Sequence, residues 1–291
     1  MRLGECHAHV IMDGINYRHA VDLHKDRVDE SVIHRCFREY KVRGIDFIRD
    51  GGDARRVSET AKRLAPFYDI DYRTPLFAIH KKGHYGGIVG QSFETMAEYA
   101  ELVRSVKANG GDFIKIMVSG LMDFTKVGVL TEAGLPDKEI REMIHIAHEE
   151  GMAVMAHTNG KVNIHGVLEA GVDSLEHGAY MDEECVAHLA ETDTVWVPTI
   201  SAIVNMIGDG RFDDGVLREI GAWHAERIRQ AWERGAHIAL GSDAGAYTVP
   251  HGKGTEDEYA HLCEALAGCA DIDARLCEDE GLIREKFVRH N

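Results

Sequence analysis

Gly4-Glu5-Cys6-His7-Ala8-His9-Val10-Ile11 is the stretch from which the rest of the chain can be read. As a strand, its side chains alternate between faces, so His7 and His9 leave the same side and can bind one ion together. Cys6 then points the other way, as a packing residue. A His-x-His pair also arises by chance in a chain with 18 histidines, so its meaning depends on what later segments bring beside it.

Those segments alternate between helix and strand. Ser31 to Arg43 carries Val32, Ile33, Cys36, Phe37 and Tyr40 at helical spacing and stops at Gly44. Ile45 to Arg49 follows as a buried strand ending in Asp50-Gly51-Gly52-Asp53. The unit recurs: a helix over Arg55 to Ala65 and a strand over Pro75 to His80; a helix over Glu94 to Ala108 and a strand over Phe113 to Val118. Pro136 and Asp137 then open a helix that Gly151 closes before a strand over Met152 to Ala156. Further strands at Ser174 to Glu176, Val195 to Pro198 and His237 to Leu240 are separated by Val167 to Ala170, Glu183 to Glu191 and Val216 to Arg234. Strands apolar on both faces imply a parallel sheet covered by helices, and about eight such units favour an α/β (β/α)8 TIM barrel over an open sheet. No GxGxxG opens the first helix, which removes the main support for a dinucleotide fold. With no linker or low-complexity segment, residues 1–291 read as one barrel domain. Its tail, from about Ala270, should be helical and pack outside the barrel.

The formal net charge is −16, with no basic run and no Lys/Arg cluster interleaved with aromatics, which argues against nucleic acid or an anionic membrane as partner. No apolar stretch is long enough to span a bilayer, and the start at Met1 enters a polar strand without a signal core, so a cytoplasmic protein is expected. Six scattered cysteines form no CxxC pair and are read as reduced thiols. A small-molecule substrate and a homo-oligomer are the expected partners.

In such a barrel the site lies where strands end. Strand one ends in His7 and His9, strand four carries Lys115 among apolar neighbours, strand five ends at His157, strand six at His177 and strand eight at Asp243. Each has an ordinary explanation alone: a polar strand end, a turn cap for Asp243, an ion pair across the barrel for Lys115. Together they place metal-competent side chains at one end of five strands.

At these residues the chain resembles the metal-dependent amidohydrolase superfamily, in its binuclear form. Arg49-Asp50-Gly51-Gly52, the segment Phe113 to Gly120, Ser174-Leu175-Glu176-His177-Gly178 and Gly241-Ser242-Asp243-Ala244-Gly245 look especially like the prolidase and imidazolonepropionase-related branch. The resemblance implies two divalent metal ions, zinc first, with His7 and His9 on one, His157 and His177 on the other, and a carboxylated Lys115 bridging both. Asp243 would ligate the first ion and act as catalytic acid and base. The implied reaction is hydrolysis of an amide C–N bond in a small substrate, such as a dipeptide or N-acyl amino acid, by a hydroxide bridging the two ions. Lactone or ester hydrolysis at the same pair is the alternative. A one-metal deaminase is disfavoured because Gly160 stands where those relatives carry Glu; a metal-binding protein without catalysis is the reading from another class. Two departures from the branch are expected to matter: the usual flanking β-sandwich is missing, and Leu121 replaces a glycine after Ser119-Gly120. His84 and Tyr85, in the loop after strand three, are the candidate substrate-binding residues, with Asn159, Tyr180 and His251 behind them; His145, His148 and His165 read as surface residues.

Overall fold

The computed structural model describes residues 4–289. Met1 to Leu3, on which the signal-free start was read, and the last two residues of the 1–291 domain lie outside the described residues.

The strands are β1 Glu5–Ala8, β2 Phe47–Asp50, β3 Asp71–Arg73, β4 Ala78–Lys81, β5 Gly90–Phe93, β6 Ile114–Met117, β7 Val154–Thr158, β8 Ser174–His177, β9 Val195–Val197 and β10 His237–Ile238. The helices are α1 Tyr17–Asp22, α2 Glu30–Val42, α3 Val57–Leu64, α4 Met96–Ala108, α5 Asp137–Glu149, α6 Lys161–Glu169, α7 Glu183–Leu189, α8 Ser201–Val204, α9 Asp214–Glu233, α10 Lys253–Ala265 and α11 Ile272–Lys286.

Strand pairing is parallel in the two sheets, β1-β2-β3 and β10-β9-β8-β7-β6-β4-β5. Backbone bonds join the sheets at both margins. On one side Cys6 N donates to Leu240 O at 3.0 Å, His9 N to Ala244 O at 2.7 Å and Ala244 N to His7 O at 3.2 Å. On the other, Asp53 N donates to Leu76 O at 3.1 Å and Asp112 N to Thr74 O at 2.9 Å. β3 and β4 thus share one position, and β5 is an extra strand beside β4, which leaves the eight positions of a (β/α)8 barrel.

Helices form where the sequence offers a cap and an apolar stripe. Asp29 accepts from Ser31 N ahead of α2, which buries Ile33, Cys36, Phe37 and Tyr40. Thr95 and Glu98 make a reciprocal capping box for α4, and α5 buries Ile140, Met143, Ile144 and Ala147. The third unit is more complex than its sequence pattern: the strand expected over Pro75 to His80 is β4, Ala78–Lys81, while β3 just before it, β5 after it and the helix α10 have no counterpart in the periodicity. The tail is helical, as expected: α11 exposes one face, Cys277 included, while on the other Ile283 and, just beyond the helix, Phe287 are fully buried with Cys6, Phe47, Phe113 and Met155, and so cover the end of the barrel where its strands begin. The Phe287 ring meets Phe113 edge-on at 5.2 Å and the Arg49 guanidinium at 4.5 Å.

Candidate functional site

At the opposite end, where strands finish, the fold brings all six candidate ligand residues together. His7 leaves β1, with His9 just beyond it; Lys115 leaves β6, His157 β7 and His177 β8; Asp243 follows the segment that closes onto β1. In the parallel register Lys115 lies opposite Met155, deeper in the barrel than His157, and His177 lies opposite Thr158, next to His157. Ring centroids are 5.3 Å apart for His7 and His9, 5.0 Å for His7 and His177, and 4.5 Å for His157 and His177. His7, His9 and Asp243 each direct a ligand atom into one group within 4.8 Å, with Asp243 Oδ1 at 3.6 Å and 3.5 Å from the two Nε2 atoms.

Backbone constraints aim these groups. His177 and Asp243 adopt positive φ, +66° and +62°, a conformation disfavoured for residues with a Cβ that the surrounding strands impose. A Cβ on Gly51 would sit 2.3 Å from His9 Cε1, so only glycine leaves room for that ring.

Neighbouring side chains set which nitrogen faces the cavity. Glu176, buried on β8, accepts from His7 Nδ1 at 2.6 Å and from Arg49 at 2.8 Å, and also from Ser174 Oγ. The proton of a neutral His7 therefore sits on Nδ1, leaving Nε2 as a lone-pair donor. His177 Nδ1 pairs with Thr199 Oγ1 at 2.8 Å, and His157 Nε2 donates to Gly120 O at 3.3 Å. Arg49, also buried, donates to Cys6 O at 2.7 Å and ties β2 to both β1 and β8. Glu5 accepts from His7 N at 3.0 Å, Ser242 N at 2.8 Å, and the Ser242 and Thr255 hydroxyls at 2.6 Å each, which binds the strand bearing His7 to the loop bearing Asp243.

Burial dominates the electrostatics. It pushes His9 and His157 down to about 3, with the Lys115 charge adding to the effect, and lowers His7 and His177 well below the ordinary range. All four imidazoles are therefore neutral at physiological pH. Burial also pulls Lys115 down to about 8, against the opposing Glu176 carboxylate, and lifts Asp243 to about 8, against the attraction of Lys115. Lys115 Nζ and His7 Nε2 are buried and find no hydrogen-bond partner. Neutral nitrogens with free lone pairs, a carboxylate and an unsatisfied amine suit a divalent cation.

The outlying candidates divide. Tyr85 stacks toward His157 at 5.2 Å, and its N donates to Glu132 Oε1 at 2.6 Å, so it stands at the rim of the cavity. His84 lies 3.8 Å from the same Glu132 carboxylate. Asn159 buttresses the site: its N donates to Ser119 Oγ at 2.8 Å, its amide to Gly120 O at 3.2 Å, and its oxygen accepts from Ala179 N at 3.0 Å. His251 is bound between Tyr40 OH at 3.0 Å and Met12 O at 2.8 Å, a structural role. Leu121 exchanges bonds with Thr131, so the loop after β6 is an ordered hairpin. Sequence reasoning quoted Arg49 and Glu176 inside motifs without assigning them work, and passed over Glu5 and Thr199. An Arg and two Glu within strands expected to be buried in the barrel were the available signal, because a charge there needs a partner.

The profile of the Amidohydrolase family matches residues 78–265. Over 152 residues the chain is 33% identical to an uncharacterized protein of Mycobacterium tuberculosis, covering 48% of this chain and 40% of that one. It is 30% identical over 166 residues to an ochratoxinase of Aspergillus niger, covering 53% and 32%. The matches thus span less than half the length of these curated relatives. Among solved structures, a Xaa-Pro dipeptidase with bound methionine superposes with a TM-score of 0.75 at 22% identity, covering 100% of this chain and 77% of that one. The Aspergillus niger ochratoxinase superposes at 0.72 and 23%, covering 91% and 66%.

Proposed function

The chain belongs to the amidohydrolase family, and from that premise we propose that it is a metal-dependent hydrolase of an amide bond in a small substrate, such as a dipeptide or an N-acyl amino acid. His7, His9 and Asp243 would hold one cation and His157 and His177 a second, with a carboxylated Lys115 as a further anionic ligand. The observation that carries this reading is the Lys115 amine, buried, unpartnered and lowered to about 8. Such an amine is readily neutral, and its lone pair adds to carbon dioxide with loss of a proton, giving an anionic carbamate. Divalent cations, zinc first, supply an ionised water at neutral pH and withdraw charge from the substrate carbonyl.

The protein groups do the rest. Asp243, beside His7 and His9, takes the proton from the attacking water and delivers it to the leaving nitrogen, which an amide requires because an amine anion leaves poorly. Glu176 holds His7 in its Nδ1–H tautomer. Tyr85 and His84 orient the substrate at the rim, the Tyr85 hydroxyl kept protonated by burial. The dipeptidase named among the structural neighbours supports a peptide-like substrate over a lactone or ester. Among the described residues no helix is long and apolar enough to cross a membrane. The same reading assigns a small-molecule partner, neither nucleic acid nor membrane, to a cytoplasmic protein that assembles with its own copies.

Metal analysis and assay of Lys115→Ala test the proposal. The variant is expected to lose most bound metal and all turnover of dipeptides and N-acyl amino acids, while the wild type loses and regains both on chelation and zinc addition. Equal metal in the two proteins overturns the bridge.

A further inference from the structure

We propose that α6 and α7 carry a second metal site, for a zinc-class cation, built from His165, Asp182 and Cys185, with His188 stacked beside His165. His165, Asp182 and Cys185 each offer a ligand atom within 4.8 Å of the others. His165 Nε2 lies 3.7 Å from Asp182 Oδ1, and the His188 ring stacks on that of His165 with centroids 6.0 Å apart. Bonds of about 2.0–2.3 Å at tetrahedral angles place ligand atoms roughly 3.3–3.8 Å from one another, so the His–Asp pair already has the required separation. Asp182, Cys185 and His188 recur every third residue along α7 and its cap, a spacing that keeps them on one side of the helix, facing α6.

The donor set has zinc chemistry. It joins a thiol, imidazole and carboxylate, a combination that hard cations such as magnesium and calcium do not select. Cys185 is fully buried, and its thiol lies against the Asp182 carboxylate and reaches the Lys161 carbonyl at 3.5 Å. Asp182 also accepts from Cys185 N at 2.9 Å as the cap of α7, and a carboxylate has lone pairs enough for both tasks. Lys161 Nζ lies 3.8 Å from Asp182 Oδ2, but that side chain is largely exposed and swings away at little cost.

No residue of this site belongs to the cavity at the strand ends. The cation would clip together the helices that follow β7 and β8, the strands bearing His157 and His177, and so steady both without entering the reaction.

Cobalt titration of the chelator-stripped full-length protein separates the two sites, because the strand-end cavity offers no thiolate. A near-ultraviolet thiolate-to-cobalt charge-transfer band is expected in the wild type, lost in Cys185→Ser and weakened at least about tenfold in affinity in His165→Ala, which retains the wild-type activity. Wild-type protein is also expected to bind one more zinc per chain than Cys185→Ser. Should that variant misfold, Asp182→Asn and His165→Ala carry the test by the same band. No band with cobalt in excess, or a band that survives all three substitutions, overturns the second site and leaves the hydrolase reading intact.

Discussion

Asp243 is pulled in opposite directions by its surroundings. Burial and the nearby Glu5 and Glu176 carboxylates favour its protonated form, while Lys115 and any bound cation favour its charge. That conflict suits a group whose task is to accept a proton and give it up. Asp243→Asn keeps the volume and one ligand oxygen but cannot carry a proton, so much of the metal should remain while turnover falls by about three orders of magnitude or more. Parallel metal analysis and kcat measurement check this, and retained turnover removes Asp243 from catalysis. His7 offers the complementary case: the nitrogen it leaves free toward the cavity is chosen not by His7 itself but by Glu176, 169 residues further along the chain.

Among the elements, the loop after β2 has the most influence over the site. Asp50 accepts from Val10 N at 2.8 Å and from Gly52 N at 2.7 Å, which draws the Asp50-Gly51-Gly52 turn against the end of β1. Gly51 then stands against the His9 ring with no space for a methyl group, so Gly51→Ala should push the ring out of line with Asp243. Metal affinity is expected to drop by about 10–100-fold with the fold intact by circular dichroism. A variant that binds metal like the wild type would show that the ring relaxes freely. The same loop illustrates what a sequence discloses about elements: its glycines marked a turn, but not which ring the turn would be pressed against.

For the molecule as a whole, the notable cost is the number of buried carboxylates. Glu258 on α10 lies inside, accepting from Ile200 N at 3.0 Å and Ser201 N at 2.7 Å, and burial lifts it to about 8 in spite of those bonds. A carboxyl whose folded value is raised binds its proton more tightly in the native state. Its stabilising contribution is complete below its ordinary value of 4.5 and disappears as pH rises through about 8. Compared with Glu258→Gln by urea unfolding of the metal-stripped proteins, the wild type should therefore lose midpoint relative to the variant as pH rises from 5 to 8.5, the lowered imidazoles being common to both and cancelling in the difference. An identical slope in both proteins would place the pH dependence elsewhere.

The sequence by itself determined the alternation of helix and strand, the eight-position barrel and the six side chains at strand ends, because periodicity, glycine stops and apolar runs are local properties. It also marked the segments bearing Arg49 and Glu176, though not their work. The tertiary structure alone decided the extra segments β3 and β5 beside β4, the burial of Phe287 in the barrel floor, the structural role of His251, and the meeting of His165 with Asp182 and Cys185. Each of these depends on partners far apart along the chain, and a contact of that kind exists only after the strands have closed into a ring and the helices have settled on it.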